Sequence, residues 1–295
     1  MSLLLFLIAA ILVLTGVAVT AHLVHRNRRL LDYSANLAIN LHAREQTLKL
    51  CSSRLPGLVQ PEIVASFTTT RDRLHSAALA AQSIVLQTVR PSRVELYISD
   101  TVTPEEIPPL FNHLKDLGVT IHYVPDLGPH TKLIYALKDF PDAYIVTFDD
   151  DIYYPPHMIE TLWRASAAAP GAVVGNWVRR LRFSRDGQVM KAKSGKLVTP
   201  KSLERHIDLP ASTLTTGYDL FAYGTGGVLY PPDCMDERVF DVECFRGICP
   251  TEDDVWFKAM TLLKGTPVVA TSLGHSPRHH CILGSQAVAL RHTRP

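Results

Sequence analysis

Cysteine is scarce and unpatterned in this chain. The five (Cys51, Cys234, Cys244, Cys249 and Cys281) are odd in number and form no CxxC pair. That argues against a zinc ribbon and a disulfide scaffold and suits a reducing compartment. No GxGxxG follows the first strand-like run, and no GxxxxGK[ST] occurs anywhere. Both absences speak against a dinucleotide oxidoreductase or a P-loop NTPase. The net charge is only +2, too little for a nucleic-acid binder driven by phosphate contacts. What is present is ample apolar material: 46% of the 295 residues are hydrophobic, enough to bury a sizeable core and exclude wholesale disorder.

Residues 2–24 carry no charged side chain, and Arg26, Arg28 and Arg29 follow directly. A helix of this length reaches roughly 34 Å, enough to span a bilayer. A cleaved secretory signal is the rival reading, but such a signal needs basic residues ahead of the apolar run. The positive-inside rule then puts the body on the cytoplasmic side of a single-pass anchor in the inner membrane. Residues 25–60 read as a juxtamembrane helix and linker. Leu30, Leu37, Leu41 and Leu48 share one helical face, and Pro56, Gly57 and Pro61 end it.

From residue 61 the pattern alternates between strand and helix. Strands are expected at 62–69, 93–99, 119–124, 143–148, 172–178, 220–230 and 267–271, with helices at 74–88, 104–117, 130–140, 155–168 and 252–263. This is an α/β order with a mostly parallel sheet covered on both faces. Ligands in such sheets bind outside the carboxyl ends of the strands, so chemistry is sought just after Thr69, Ser99, Val124 and Phe148.

The sharpest feature sits at one of those ends: Phe148-Asp149-Asp150-Asp151. Adjacent carboxylates repel unless a cation or hydrogen-bond donors compensate them. If the strand continues, Asp149 and Asp151 point one way and Asp150 the other. Two hard oxygen donors on one side suit Mg²⁺ or Mn²⁺. The plainer alternative is one Asp capping the next helix and the others solvated. A second acidic group, Glu252-Asp253-Asp254, opens a later helix, where acids also complement the positive helix end and Thr251 would serve as N-cap.

The run 146–155 (VTFDDDIYYP) resembles the DXD region of GT-A fold glycosyltransferases, particularly those similar to family 2. The resemblance extends over Ile63 to Leu263. It takes in Thr68-Thr69-Thr70-Arg71 after the first strand, Asp100 at the end of the second, and Gly128-Pro129-His130-Thr131-Lys132. The acidic run Pro250-Thr251-Glu252-Asp253-Asp254-Val255-Trp256 completes it. It implies a GT-A (Rossmann-like) catalytic domain over 61–275 with a C-terminal tail at 276–295. Asp149 and Asp151 would hold Mn²⁺ or Mg²⁺ on the diphosphate of a nucleotide-sugar donor, and His275 is a further metal-ligand candidate. Thr68, Arg71, Asp100, Lys132 and Asp149 would contact the donor. Asp253, with Asp254 second, would be the general base of an inverting transfer to a glycan or lipid-linked acceptor. The glycine-rich run 223–230 would line the sugar pocket, and Arg179, Arg180 and Arg182 could meet an anionic acceptor. Neither a Q/RxxRW motif nor several downstream spans is present, which disfavours processive polymer synthesis. The rivals are a sugar-nucleotide pyrophosphorylase, whose opening loop is usually Gly-rich and Arg-containing, and a non-catalytic membrane-tethered scaffold of the same fold.

Overall fold

The computed structural model describes residues 16, 17, 19, 20, 22–24, 62–181, 204–206, 214–271, 281, 282 and 285. Most of 2–24, all of 25–60 and His275 lie outside the described residues. No helix among the described residues is long and apolar enough to cross a membrane.

The strands are β1 (Ile63–Thr69), β2 (Arg93–Ser99), β3 (Val119–Val124), β4 (Tyr144–Thr147), β5 (Val173–Gly175), β6 (Val178–Leu181), β7 (Glu204–His206), β8 (Thr215–Gly217), β9 (Leu220–Ala222), β10 (Val228–Tyr230) and β11 (Val268–Ala270). The helices are α1 (Leu74–Val85), α2 (Leu110–Asp116), α3 (Thr131–Asp139), α4 (Met158–Ala168), α5 (Val242–Ile248) and α6 (Asp253–Lys264). Eight strands form one sheet in the order β3-β2-β1-β4-β10-β5-β11-β8, and β7-β6-β9 form a second, small one. The β3-β2-β1-β4 half is parallel throughout. β10 runs antiparallel to both β4 and β5, and β8 antiparallel to β11.

The parallel half follows from its sequence. Alternate residues of β1 enter opposite cores: Ile63, Ala65 and Phe67 pack in one, Val64 in the other. A strand buried on both faces has no polar alternation to show. Four buried alanines of α1 (Ala77, Ala78, Ala80, Ala81) bring that helix close against the sheet. On the opposite face Leu133 and Ile134 of α3 join Trp256 and Phe257 of α6. Gly265, in the left-handed region (φ 81°, ψ 23°), ends α6, a conformation that glycine adopts without steric cost.

Several expected elements are corrected. The 104–117 helix is a 3-10 turn at Pro104–Glu106 followed by α2, because Pro108 and Pro109 interrupt it and disfavour helical geometry before them. The single strands expected at 172–178 and 220–230 are each split between the two sheets: β5 from β6, and β9 from β10. Between β9 and β10 the glycines form a 3-10 turn, Gly224–Gly226. The sequence reading missed α5. Cys281 of the tail bridges to Ile152, and Ile282 N–H donates to Asp151 O at 2.7 Å.

Candidate active site

Topology delivers two loops to one rim of the sheet. The parallel strand β4 ends at Thr147, whose partner on β10 is Val228, the first residue of that antiparallel strand. The end of one strand and the entry to the other are therefore adjacent. This places the Asp149–Asp151 loop beside the Gly224–Gly226 turn. Tyr154 links them: its hydroxyl accepts from Asp149 N–H at 2.8 Å and donates to Thr225 O at 3.3 Å.

The three aspartates do not alternate as an extended strand would require. Arg73 Nη2 lies 2.5 Å from Asp150 Oδ1 and 2.9 Å from Asp151 Oδ2, so these two carboxylates share one cation. Asp149 turns instead to Lys132, with Nζ 2.9 Å from Oδ1. The expected same-side pairing of Asp149 and Asp151 is thereby corrected: β4 ends before the triplet, and period-two alternation ends with it. Nor does an Asp of the triplet cap α4, whose N-cap is His157 without a side-chain cap bond.

Lys132 also reaches Asp253, Nζ to Oδ2 at 3.0 Å. Asp254 accepts Gly224 N–H through both oxygens, at 3.0 and 3.1 Å. A Cβ on Gly224 would lie 3.0 Å from Asp254 Oδ1, 3.2 Å from Lys132 Nζ and 3.6 Å from Asp149 Oδ1. Three charged groups from three elements thus converge on one glycine. The N-cap of α6 is Glu252, without a side-chain cap bond, rather than Thr251. Asp253 and Asp254 are the acids of the first turn of α6, as expected, and their side chains also reach Lys132 and Gly224.

The electrostatics are uneven. Burial opposes the Asp149 charge, but Lys132, with the Thr225 hydroxyl and Arg73, outweighs it and holds the carboxyl below its ordinary value. Burial likewise opposes the Lys132 ammonium, yet Asp149 and Asp253 raise it well above its usual value. Burial pushes Asp150 up to about 7 against the pull of Arg73 and of the Thr69 hydroxyl, which donates to Oδ2 at 2.6 Å. Burial, followed by the charge of Asp253, pushes Asp254 up to about 8.

The carboxyl groups at this rim (Asp149, Asp150, Asp151, Asp253 and Asp254) outnumber Arg73 and Lys132, and burial pushes two of them, Asp150 and Asp254, up toward their neutral forms. Among the described residues no group of three or more His, Cys, Asp or Glu side chains is arranged to hold a metal ion. The donor set therefore does not suit a closed protein cage.

The remaining expected residues are dispersed. Arg71 faces away from the triplet: Nη2 donates to Thr101 O at 2.6 Å and Nε pairs with Glu106 at 2.8 Å. Thr68 lies in β1, paired with Tyr97 of β2. Asp100 sits just past β2, its N–H donating to Val124 O at 2.9 Å, beside that sheet edge rather than in the carboxylate cluster. No role was expected for Arg73, Thr69 or Tyr154, whereas Thr225 lies in the 223–230 run expected to line the sugar pocket. The one available signal for Arg73 was a second arginine two places after Arg71.

No family model matches the chain, and no curated protein matches it. Among solved structures 141 chains match. One is described as the crystal structure of 4-diphosphocytidyl-2C-methyl-D-erythritol synthase, at 9% identity and a TM-score of 0.43, over 80% of this chain and 95% of that one. At that distance nothing passes from that protein to this chain.

Proposed function

We propose that the protein is a glycosyltransferase, moving a sugar from a nucleotide-diphosphate sugar to a glycan or lipid-linked acceptor. The observation that carries this reading is the position of Lys132. Its ammonium stands at the carboxyl-end rim of a parallel sheet, between Asp149 at 2.9 Å and Asp253 at 3.0 Å. A cation so placed can receive a phosphate oxygen of the donor while remaining oriented by both carboxylates. Asp149 is the residue that would hold Mn²⁺ or Mg²⁺, Asp151 being turned to Arg73; such an ion would supply Lewis-acid stabilisation of the leaving diphosphate.

A sugar hydroxyl attacks well only when its proton is removed during attack. The sequence favours Asp253 for that task, but Asp253 is buried and committed to Lys132. We assign the base to Asp254, half-buried and pushed up to about 8, close to the operating pH that general-base catalysis favours. Attack opposite the diphosphate would invert the anomeric centre. Membrane anchoring through 2–24, with the body facing the cytoplasm of a bacterial-type cell, belongs to the same proposal.

Nucleotidyl transfer is the second reading. In its favour, the opening loop carries a half-buried arginine, Arg73, turned onto Asp150 and Asp151. Against it, that loop has no glycine. A panel of nucleotide sugars with Mn²⁺ and oligosaccharide acceptors, run beside a pyrophosphate-release assay with sugar phosphate and nucleoside triphosphate, separates the two. Sugar transfer that disappears in Asp149→Asn supports the first reading. Pyrophosphate release without sugar transfer overturns it.

A further inference from the structure

α6 carries a buried lysine that the carboxylate cluster does not use. Lys258 is buried, and its Nζ is sealed from solvent without a hydrogen-bond partner among the described residues. The acid that counters the effect of burial on it, Asp219, is already paired with Arg180. A buried ammonium in that state is costly, and a counter-charge would relieve it.

Lys258 lines a small, half-open cavity between α6 and the sheet. The wall contributed by β5, β9 and β11 is apolar: Val173, Ala222 and Val268. Asp254, one helical turn before Lys258, lines the same cavity. Its carboxyl, pushed up to about 8, keeps its proton over most of the neutral range and can donate it. Thr261, one turn after, also lines the cavity, but its hydroxyl donates to Lys258 O at 2.9 Å. The free space is about what a single water-sized particle needs. A sugar, a phosphate or a carboxylate does not fit.

We infer that this cavity is a halide site, taking chloride as the counter-ion of Lys258. A one-atom anion is what the space admits. The Lys258 ammonium supplies the charge, and apolar walls favour a weakly hydrated ion over a strongly hydrated one. Water in the same place accepts a hydrogen bond but leaves the charge uncompensated. The flexible four-carbon stem of the lysine lets its ammonium turn the short way to the ion. Neither sugar nor nucleotide enters here, so the site stands or falls apart from the transferase reading.

The full chain in detergent is unfolded with urea at pH 7 in sodium gluconate, and chloride replaces gluconate stepwise at constant ionic strength. Gluconate is too large for the cavity, and screening stays the same throughout. Lys258→Met, with Lys258→Gln in reserve should the first not fold, goes through the same series, which removes any general salt effect. Chloride at ten times its dissociation constant should multiply the folding equilibrium constant of the wild type about elevenfold. The gain should saturate as one site does, and be absent from the variant. In crystals grown with bromide, an anomalous-scattering peak should stand beside Lys258 Nζ. The same chloride dependence in wild type and folded variant overturns the inference, as does equal wild-type stability in chloride and gluconate, water then being the sole occupant.

Discussion

Lys132 in the first turn of α3 and Asp253 in the first turn of α6 meet at 3.0 Å, and the same ammonium reaches Asp149 at 2.9 Å. One side chain thereby couples the loop after β4 to the start of α6. A lysine at a helix N-terminus is mildly unfavourable to that helix. Its presence makes sense as the counter-charge to the buried Asp253 and the half-buried Asp149.

Replacing Lys132 by Met should cost about 3 kcal/mol of stability, the scale for leaving buried charge without its partner. Adding Asp253→Asn to Lys132→Met should recover part of that loss, because one of the two orphaned carboxylates is gone. Urea unfolding of the two single variants and the double variant measures both effects. Simple additivity would contradict the coupling.

Asp254 sets the expected pH dependence of activity. Its carboxyl is pushed up to about 8 by burial and by Asp253, so it holds its proton over most of the neutral range. Activity that needs the deprotonated form rises with pH, about tenfold per unit below 8, and levels off above it. The profile of kcat/KM checks this. Asp254→Asn should lower kcat by about 10²–10⁴-fold, and a flat profile in the wild type would rule Asp254 out as the base.

Gly226 is a position where side-chain volume decides. Ala there would set its Cβ 2.6 Å from Trp177 Cβ, and the neighbour is fixed in the β6–β9 ladder. Gly226→Ala should cost about 1–3 kcal/mol, the usual penalty of overpacking, and shift Trp177. Chemical denaturation measures the loss, and near-ultraviolet circular dichroism reports the indole. Unchanged values in both would show that the turn yields more easily than its contacts imply.

Lys258 carries a buried ammonium without a hydrogen-bond partner among the described residues. Burial lowers it to about 8, opposed by Asp219. Below pH 8 both folded and unfolded chains hold the proton, so the cost of burying the charge is paid in full. As pH rises from 8 toward 10.5 the folded protein sheds its proton first and the cost fades. Lys258→Met should therefore stabilise the protein at pH 7, by about 2–3 kcal/mol, and the gain should vanish near pH 10.5. Unfolding midpoints at pH 7 and pH 10 decide it, and a gain that grows with pH would refute the assignment.

Much of the scaffold is legible from residues alone. The expected strands 62–69, 93–99 and 119–124 are found as Ile63–Thr69, Arg93–Ser99 and Val119–Val124. β1 is buried along nearly its whole length and leaves a continuous apolar signal, while β2 and the edge strand β3 show through their β-branched and aromatic residues. The same logic located Asp149–Asp151 at a strand end. It could not say which way each carboxylate turns, since alternation holds only while the chain stays extended, and β4 stops at Thr147. Of the two arginines in the opening turn, sequence reasoning chose the exposed Arg71 over Arg73, which is turned onto Asp150 and Asp151. Spacing shows that both leave the strand but not which one the turn folds inward.

Composition and local pattern settled the α/β class, the first parallel strands and the acidic character of two loops, because these depend on burial and on neighbours in the chain. Tertiary structure alone decided that β10 enters the sheet antiparallel beside β4. It also brought Gly224, Asp254, Lys132 and Asp149 to one point, and laid Trp177 and Tyr223 against the same turn. Those encounters join residues far apart in sequence, and only the packing of whole elements fixes the distances between them.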